Sequence, residues 1–263
     1  MAPQNQSETA IISLRDITKS YGNFAALRGV DMDIRAGEVT CVLGDNGAGK
    51  STLIKILAGL HKHTSGTLLI DGQPTVFQSP RAALDAGIAT VYQDLAVVTT
   101  MPVWRNFFLG QELTKPWGRL RAGEMREITR NQLLEMGVDI PDVNVEIGSL
   151  SGGQRQVVAI ARAIYFGARV LILDEPTAAL GVKQSGVVLR FITAARKQGI
   201  AVVFITHNPH HAYLVGDHFR ILKLGRQVLA ASRDEITVEE LTGHMAGGSE
   251  LDALSHELQR SSA

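Results

Sequence analysis

Gly44-Asp45-Asn46-Gly47-Ala48-Gly49-Lys50-Ser51 is a complete phosphate-binding loop. The run Glu38 to Leu43 precedes it as a short apolar strand. Ser51 to Leu60 follows as a helix, with Leu53, Ile54, Ile56, Leu57 and Leu60 recurring at helical spacing. Strand, glycine loop and helix are the setting this loop requires. Backbone N–H groups of Gly47, Gly49 and Lys50 reach phosphate oxygens only where no side chain intrudes, and the helix N-terminus adds its dipole. Lys50 is the mobile cation for β- and γ-phosphates. Ser51 offers a hydroxyl to Mg²⁺, and Thr52 continues the helix. The expected ligand is a nucleoside triphosphate with Mg²⁺.

Outward from the loop, strands and helices alternate. Ile11–Leu14, Val30–Ile34, Leu68–Gly72 and Ile88–Tyr92 read as strands, and Ser79–Asp85, Glu124–Met136 and Gln154–Phe166 as helices. Val170–Leu173 and Ile200–Ile205 are continuous apolar runs, as in a parallel sheet covered on both faces. Leu222–Val228 reads as a closing hairpin. The alternation predicts an α/β sheet core.

Several polar residues fall where such a sheet binds ligands. Asp174 follows four apolar residues and emerges at the carboxyl end of a buried strand, where it suits Mg²⁺ held through water. Glu175 comes next. Gln93 and His207 also stand at strand ends, and Tyr21 follows the first strand. In Leu150-Ser151-Gly152-Gly153-Gln154, a serine hydroxyl and glycine N–H groups at a predicted helix start make an anion site. Spacing alone does not name the anion.

The phosphate loop, the Leu-Ser-Gly-Gly-Gln segment and the Asp-Glu strand end, in that order, resemble the ATP-binding-cassette (ABC) ATPases, over residues 11–240. The resemblance implies a single P-loop NTPase domain over 1–263. It has a catalytic core at 11–94 and 156–240, an N-terminal antiparallel β subdomain, a helical subdomain at 95–155 and a loose polar tail at 244–263. It implies that Glu175 orients or deprotonates the attacking water, that His207 contacts the γ-phosphate, that Gln93 senses Mg²⁺ and water, and that Tyr21 stacks on adenine. It further implies that Ser151, Gly153 and Gln154 close over ATP held by the loop of a second copy. Each site is then split between two chains.

One segment departs from the family pattern. Ala178-Ala179-Leu180-Gly181 stands where Ser-Ala-Leu-Asp is usual, and the missing aspartate normally couples the two sites. A similar glycine variant occurs in ribose- and fructose-type sugar importers. Trp104-Arg105-Asn106-Phe107-Phe108-Leu109-Gly110 resembles a stretch of monosaccharide importers. Its aromatics fit either the helical subdomain's core or a groove for a helix of a membrane subunit. The expected function is therefore an ATPase that energises monosaccharide import, with transmembrane permease subunits and, indirectly, a sugar-binding protein as partners. An exporter ATPase and a soluble protein of the same family are the alternatives.

Composition narrows these further. The 263 residues are 45% hydrophobic, and 26 Lys+Arg balance 26 Asp+Glu, so no basic excess points to nucleic acid. No apolar run reaches the ~18–20 residues that span a bilayer, and Met1–Ala10 lack the features of a signal peptide. The expected location is the cytoplasmic face of a membrane whose spanning helices another subunit supplies. Cys41, the one cysteine, excludes an intrachain disulfide and sits in an apolar strand. His61-Lys62-His63 and His210-His211 lack further ligands and read as solvated loops.

Overall fold

A computed structural model describes residues 10–246. The chain opens with a long hairpin of β1 (Ala10–Tyr21) and β2 (Phe24–Arg35), followed by β3 (Val39–Leu43) and α1 (Lys50–Leu57). Then come β4 (Ser65–Ile70), β5 (Gln73–Pro74), α2 (Pro80–Asp85) and β6 (Ile88–Val91). The helices α3 (Val103–Phe108), α4 (Ala122–Glu135) and α5 (Gly152–Tyr165) lead to β7 (Val170–Asp174), α6 (Val182–Lys197) and β8 (Ala201–Thr206). The described chain closes with α7 (Pro209–Val215), β9 (His218–Lys223), β10 (Arg226–Ser232) and α8 (Val238–Ala246).

Two sheets form. One is antiparallel, in the order β2-β1-β4-β5. The other runs β10-β9-β3-β8-β7-β6 and is parallel except for the β9–β10 hairpin. The parallel strands are buried on both faces, which explains their unbroken apolar sequence. Side chains alternate across the sheet. Cys41, Leu171, Leu173, Val202 and Phe204 face the helical side. Val42, Ile172, Val203 and Ile205 face the antiparallel sheet, with α1 packed in the same layer through Leu53, Ile54 and Leu57.

The helical insertion shares the first of these cores. Trp104, Phe107 and Phe108 are buried within it, and Phe107 and Phe108 pack against Tyr165 and Phe166 at the end of α5. Their groove reading is thereby corrected: an apolar face already packed on α4 and α5 is not free for a partner helix. Buried Asn106 holds the preceding loop, its Oδ1 accepting from Val98 N–H at 2.8 Å and its Nδ2 donating to Val98 O at 3.0 Å.

Element ends shift by a few residues from the sequence reading. Ser79 caps α2 rather than joining it, its oxygen accepting from Ala82 N–H. The strand expected to start at Val30 begins at Phe24, because the β1–β2 pairing extends to Tyr21 and Phe24. Residues 244–246 of the expected tail belong to α8, and 247–263 lie outside the described residues.

Candidate nucleotide site

Lys50, the first residue of α1, is only 7% exposed. Its ammonium donates to the carbonyls of Gly44 and Asp45 within its own loop and lies 3.9 Å from Glu175 Oε1. Gly44 and Gly47 both have positive φ, but for different reasons. A Cβ on Gly44 would collide with the Leu222 carbonyl, whereas one on Gly47 would meet nothing within 4 Å. Gly44 is therefore required by packing. Gly47 keeps the loop's left-handed turn and the open space above it.

The parallel register brings the other residues to the same edge. β3, β7 and β8 end level with one another, Leu43 opposite Thr206 and Asp174 opposite Ile205. Glu175 then turns into the left-handed region at φ 48°, its N–H bonded to Ile205 O at 3.0 Å. This conformation is uncommon for a non-glycine residue and persists where surrounding contacts hold it. Here it keeps the carboxylate at 11% exposure, with Oε2 2.9 Å from His207 Nδ1. Burial raises the Asp174 carboxyl above the usual carboxylate range, and the neighbouring Glu175 adds to the effect.

A cleft of about 730 Å³ is lined by Lys50, Ser51, Thr52, Gln93, Asp174 and Glu175, together with Asp45, Asn46, Gly47 and Gly49. An adjoining space is shared by Asp45, Asn46, Gln93 and Glu175, with His207 on its wall. Residues expected together on sequence grounds thus meet from four separate segments. Ala48 differs, since its methyl is buried in the core between the sheets. The hydroxyl, amide and carboxylate oxygens of Ser51, Gln93 and Asp174 are hard donors on one wall, which suits Mg²⁺ carried by a phosphate ligand. Among the described residues, no group of three or more His, Cys, Asp or Glu could hold a metal by itself.

Tyr21 does not line this cleft. It packs edge-on against His61, at 5.7 Å between ring centroids, with the Lys19 ammonium 4.9 Å from its ring. Its cross-strand partner Phe24 does line the cleft and is largely exposed. Sequence reasoning passed over Phe24. The signal available was a second aromatic just across a Gly-containing turn from the first.

Ser151, Gly153 and Gln154 also stand outside the cleft. They start α5 with a reciprocal cap, in which Ser151 Oγ accepts from Gln154 N–H at 3.3 Å and Gln154 Oε1 accepts from Ser151 N–H at 3.0 Å. Gly181 is the N-cap of α6 and supplies no side-chain cap, a task that aspartate performs well. His211 bonds Thr177 Oγ1 at 3.0 Å, and burial, followed by His210 and His207, holds its imidazole below the usual range. Cys41 is fully buried, which pushes its thiol up and out of reactivity.

A second cavity, an apolar groove of about 860 Å³, runs between the end of β6 and α5. Tyr92, Leu95, Val97, Gln111, Val158 and Phe166 contribute to its walls.

Comparison with known proteins agrees with this architecture. The ABC transporter family matches residues 27–178. The chain is 44% identical to the xylose/arabinose import ATP-binding protein XylG of Sulfolobus acidocaldarius, across 88% of this chain and 92% of that protein. It is 41% identical to the fructose import ATP-binding protein FrcA of Rhizobium meliloti, across 93% and 96%. The ribose import ATP-binding protein RbsA of Yersinia pestis is 36% identical over 92% of this chain, which spans about half (47%) of that longer protein. Among solved structures, a dimeric ATP-binding cassette bound to ADP and Pi superposes with a TM-score of 0.71 at 27% identity, over 84% of this chain and 98% of that one. The chain belongs to the ABC transporter family, and its cassette is an ATPase domain of that family.

Proposed function

We propose that this chain is the ATP-hydrolysing subunit of an importer of a monosaccharide, working as a pair at the cytoplasmic face of a membrane. The observation that carries the reading is the meeting of Lys50, Asp174, Glu175 and His207 at one sheet edge. The sugar-import names of its relatives support the choice of cargo.

In this reading, Lys50 leaves its loop carbonyls for the β- and γ-phosphates. Mg²⁺, held by Ser51, Gln93 and Asp174, would supply charge neutralisation at the phosphates. Glu175 takes the proton of the attacking water, and His207 fixes the carboxylate's orientation while reaching the γ-phosphate. The Ser151–Gln154 helix start closes the site of a second copy. Its absence from the cleft lining supports that arrangement, as does the dimeric state of a structural relative. The apolar groove beside Phe166 is the seat for a permease helix. Among the described residues, no helix is long and apolar enough to cross a membrane, which fits a peripheral subunit.

Affinity purification of Glu175→Gln from native membranes, with ATP and Mg²⁺, tests this. Recovery of a multi-spanning permease, with a sugar-binding protein encoded beside it, is expected. A permease lacking such a binding protein would favour export. Only soluble partners would refute transport.

A further inference from the structure

Among the described residues, the most exposed large apolar side chain is Trp117, at 98%. It sits at the tip of a narrow hairpin between α3 and α4. Thr114 and Leu120 form a bridge, Lys115 N–H bonds Arg119 O at 2.7 Å, and Arg121 N–H bonds Leu113 O at 2.8 Å. Leu113 and Leu120 pack against the helical core and anchor the base. The tip, Pro116-Trp117-Gly118, is a single tight turn with Trp117 at φ 73°. A bulky residue is uncommon in this left-handed region. The turn holds the indole away from the protein, although nothing in the core needs it there.

Charged residues border the tip in sequence. Lys115 and Arg119 flank it, both exposed, and neither forms an ion pair with another described residue. Arg121 pairs with Glu124 at 2.7 Å, and the carboxylate of Glu112 accepts from Gly110 N–H at 3.0 Å. Glu112 keeps its negative charge at the base of the hairpin, and the two unpaired cations Lys115 and Arg119 outnumber it, so the tip itself is positive. The apolar surface is confined to one side chain, since Thr114, Lys115, Pro116, Gly118 and Arg119 are all exposed and none is a large apolar residue. A stable protein interface covers about 800 Å² per partner, and one tryptophan brings at most about 250 Å². An isolated indole between two cations instead matches the headgroup level of an anionic bilayer, where tryptophan is enriched and basic side chains meet phosphates.

The hairpin's position agrees. Gln111, two residues before Leu113 at the hairpin's outermost bond, lines the apolar groove assigned above to a permease helix. In orientation the inference rests on that assignment.

We infer that the Lys115–Arg119 hairpin is a lipid contact. Trp117 inserts at the headgroup level of an anionic membrane, and Lys115 and Arg119 bind its phosphates, steadying the cassette beside its permease.

The chain's two tryptophans make the test direct, because Trp104 is buried and Trp117 is not. The full-length protein is titrated with vesicles of phosphatidylcholine containing about 30% phosphatidylglycerol, a model of an anionic leaflet. Emission should shift to the blue and be quenched by brominated acyl chains, and Trp117→Ala should abolish both changes without altering basal ATPase activity. Lys115→Ala with Arg119→Ala should raise the lipid concentration needed by about 25-fold, roughly fivefold for each charge. Unchanged wild-type emission would overturn the inference. So would equal binding to uncharged vesicles. Trp117→Ala weakening permease co-purification in detergent, with no vesicle effect, would reassign the tip to a protein contact. The vesicle measurement needs no permease, so its failure is distinct from failure of the import reading.

Discussion

Glu175 and His207 face each other across the ends of β7 and β8, with Oε2 of one 2.9 Å from Nδ1 of the other. The second carboxylate oxygen lies 3.9 Å from the Lys50 ammonium. The carboxylate is thus oriented from one side and electrostatically tethered from the other. Glu175→Gln keeps the shape and removes the proton acceptor. Turnover should fall by about 10²–10⁴ while ATP binding persists. His207→Ala should lower kcat with an ATP affinity changed less than about tenfold. Steady-state ATPase assays and nucleotide titrations check both, and a glutamine variant with substantial turnover would remove Glu175 from the role.

Asp174 carries a latent cost. Burial, followed by repulsion from Glu175, raises its folded-state carboxyl above the unfolded value. The ionised form is therefore disfavoured in the fold. Stability is lost as pH rises from the unfolded value through the folded one, and the loss is complete above both. Asp174→Asn should raise the melting temperature of the nucleotide-free protein at neutral pH. The gain should be small, because the carboxylate remains partly hydrated. The same variant should bind ATP with little response to Mg²⁺. Melting curves from pH 4 to 8, with and without Mg²⁺-ATP, would show both effects, and an unchanged or lowered melting point at neutral pH would count against the burial argument.

The phosphate loop contains two kinds of glycine. Gly44→Ala drives a methyl into the Leu222 carbonyl, a backbone atom that cannot swing aside. It should destabilise the fold by roughly 3 kcal/mol. Gly47→Ala meets no atom and should cost only about 1 kcal/mol for its left-handed φ, yet weaken ATP binding more than tenfold by filling space meant for phosphate. Urea unfolding beside titration with a fluorescent ATP analogue separates the two. Equal stability losses would mean that the packing distinction is wrong.

Trp104 belongs to the core, with the Arg126 guanidinium 5.0 Å from its ring. Trp104→Ala should lower unfolding free energy by about 3–5 kcal/mol. Equilibrium denaturation would expose a contrary result as near-wild-type stability, the outcome a surface residue would give.

Phe24 lines the cleft, and in the proposed reading it meets the nucleoside. Phe24→Ala should raise the KM for ATP by about five- to a hundredfold through lost stacking, leaving kcat nearly intact. Tripolyphosphate inhibition should be unaffected, because that ligand has no base. A matching loss of tripolyphosphate binding would place Phe24's effect on the loop instead.

Much of this site was legible because its chemistry is local. The glycine loop, the Asp174-Glu175 pair and His207 each follow an apolar run, and strand ends of a parallel sheet converge by register. The face chosen by Trp104, Phe107 and Phe108 was not legible, since it depends on Tyr165 and Phe166, far along the chain. Helix α6 went unassigned for a related reason. Its N-cap is Gly181, which announces no start, and its buried positions carry small or polar residues such as Ser185 and Ala195 as well as Val188 and Ile192. Phe24 was missed because its neighbours form a hairpin whose reach into the cleft is a matter of tertiary placement.

The turn between β9 and β10 joins three parts of the molecule. Gly225 accepts from Arg28 N–H at 2.8 Å and donates to Ala48 O at 2.9 Å. The strand that begins at Phe24 and the glycine loop at residues 44–50 are thereby bolted to one backbone unit. Such a joint preorganises the two ends of the ligand site relative to each other. In the proposed reading, little conformational entropy then remains to be surrendered when ATP arrives, and more of the contact energy is left to draw a second cassette onto the first.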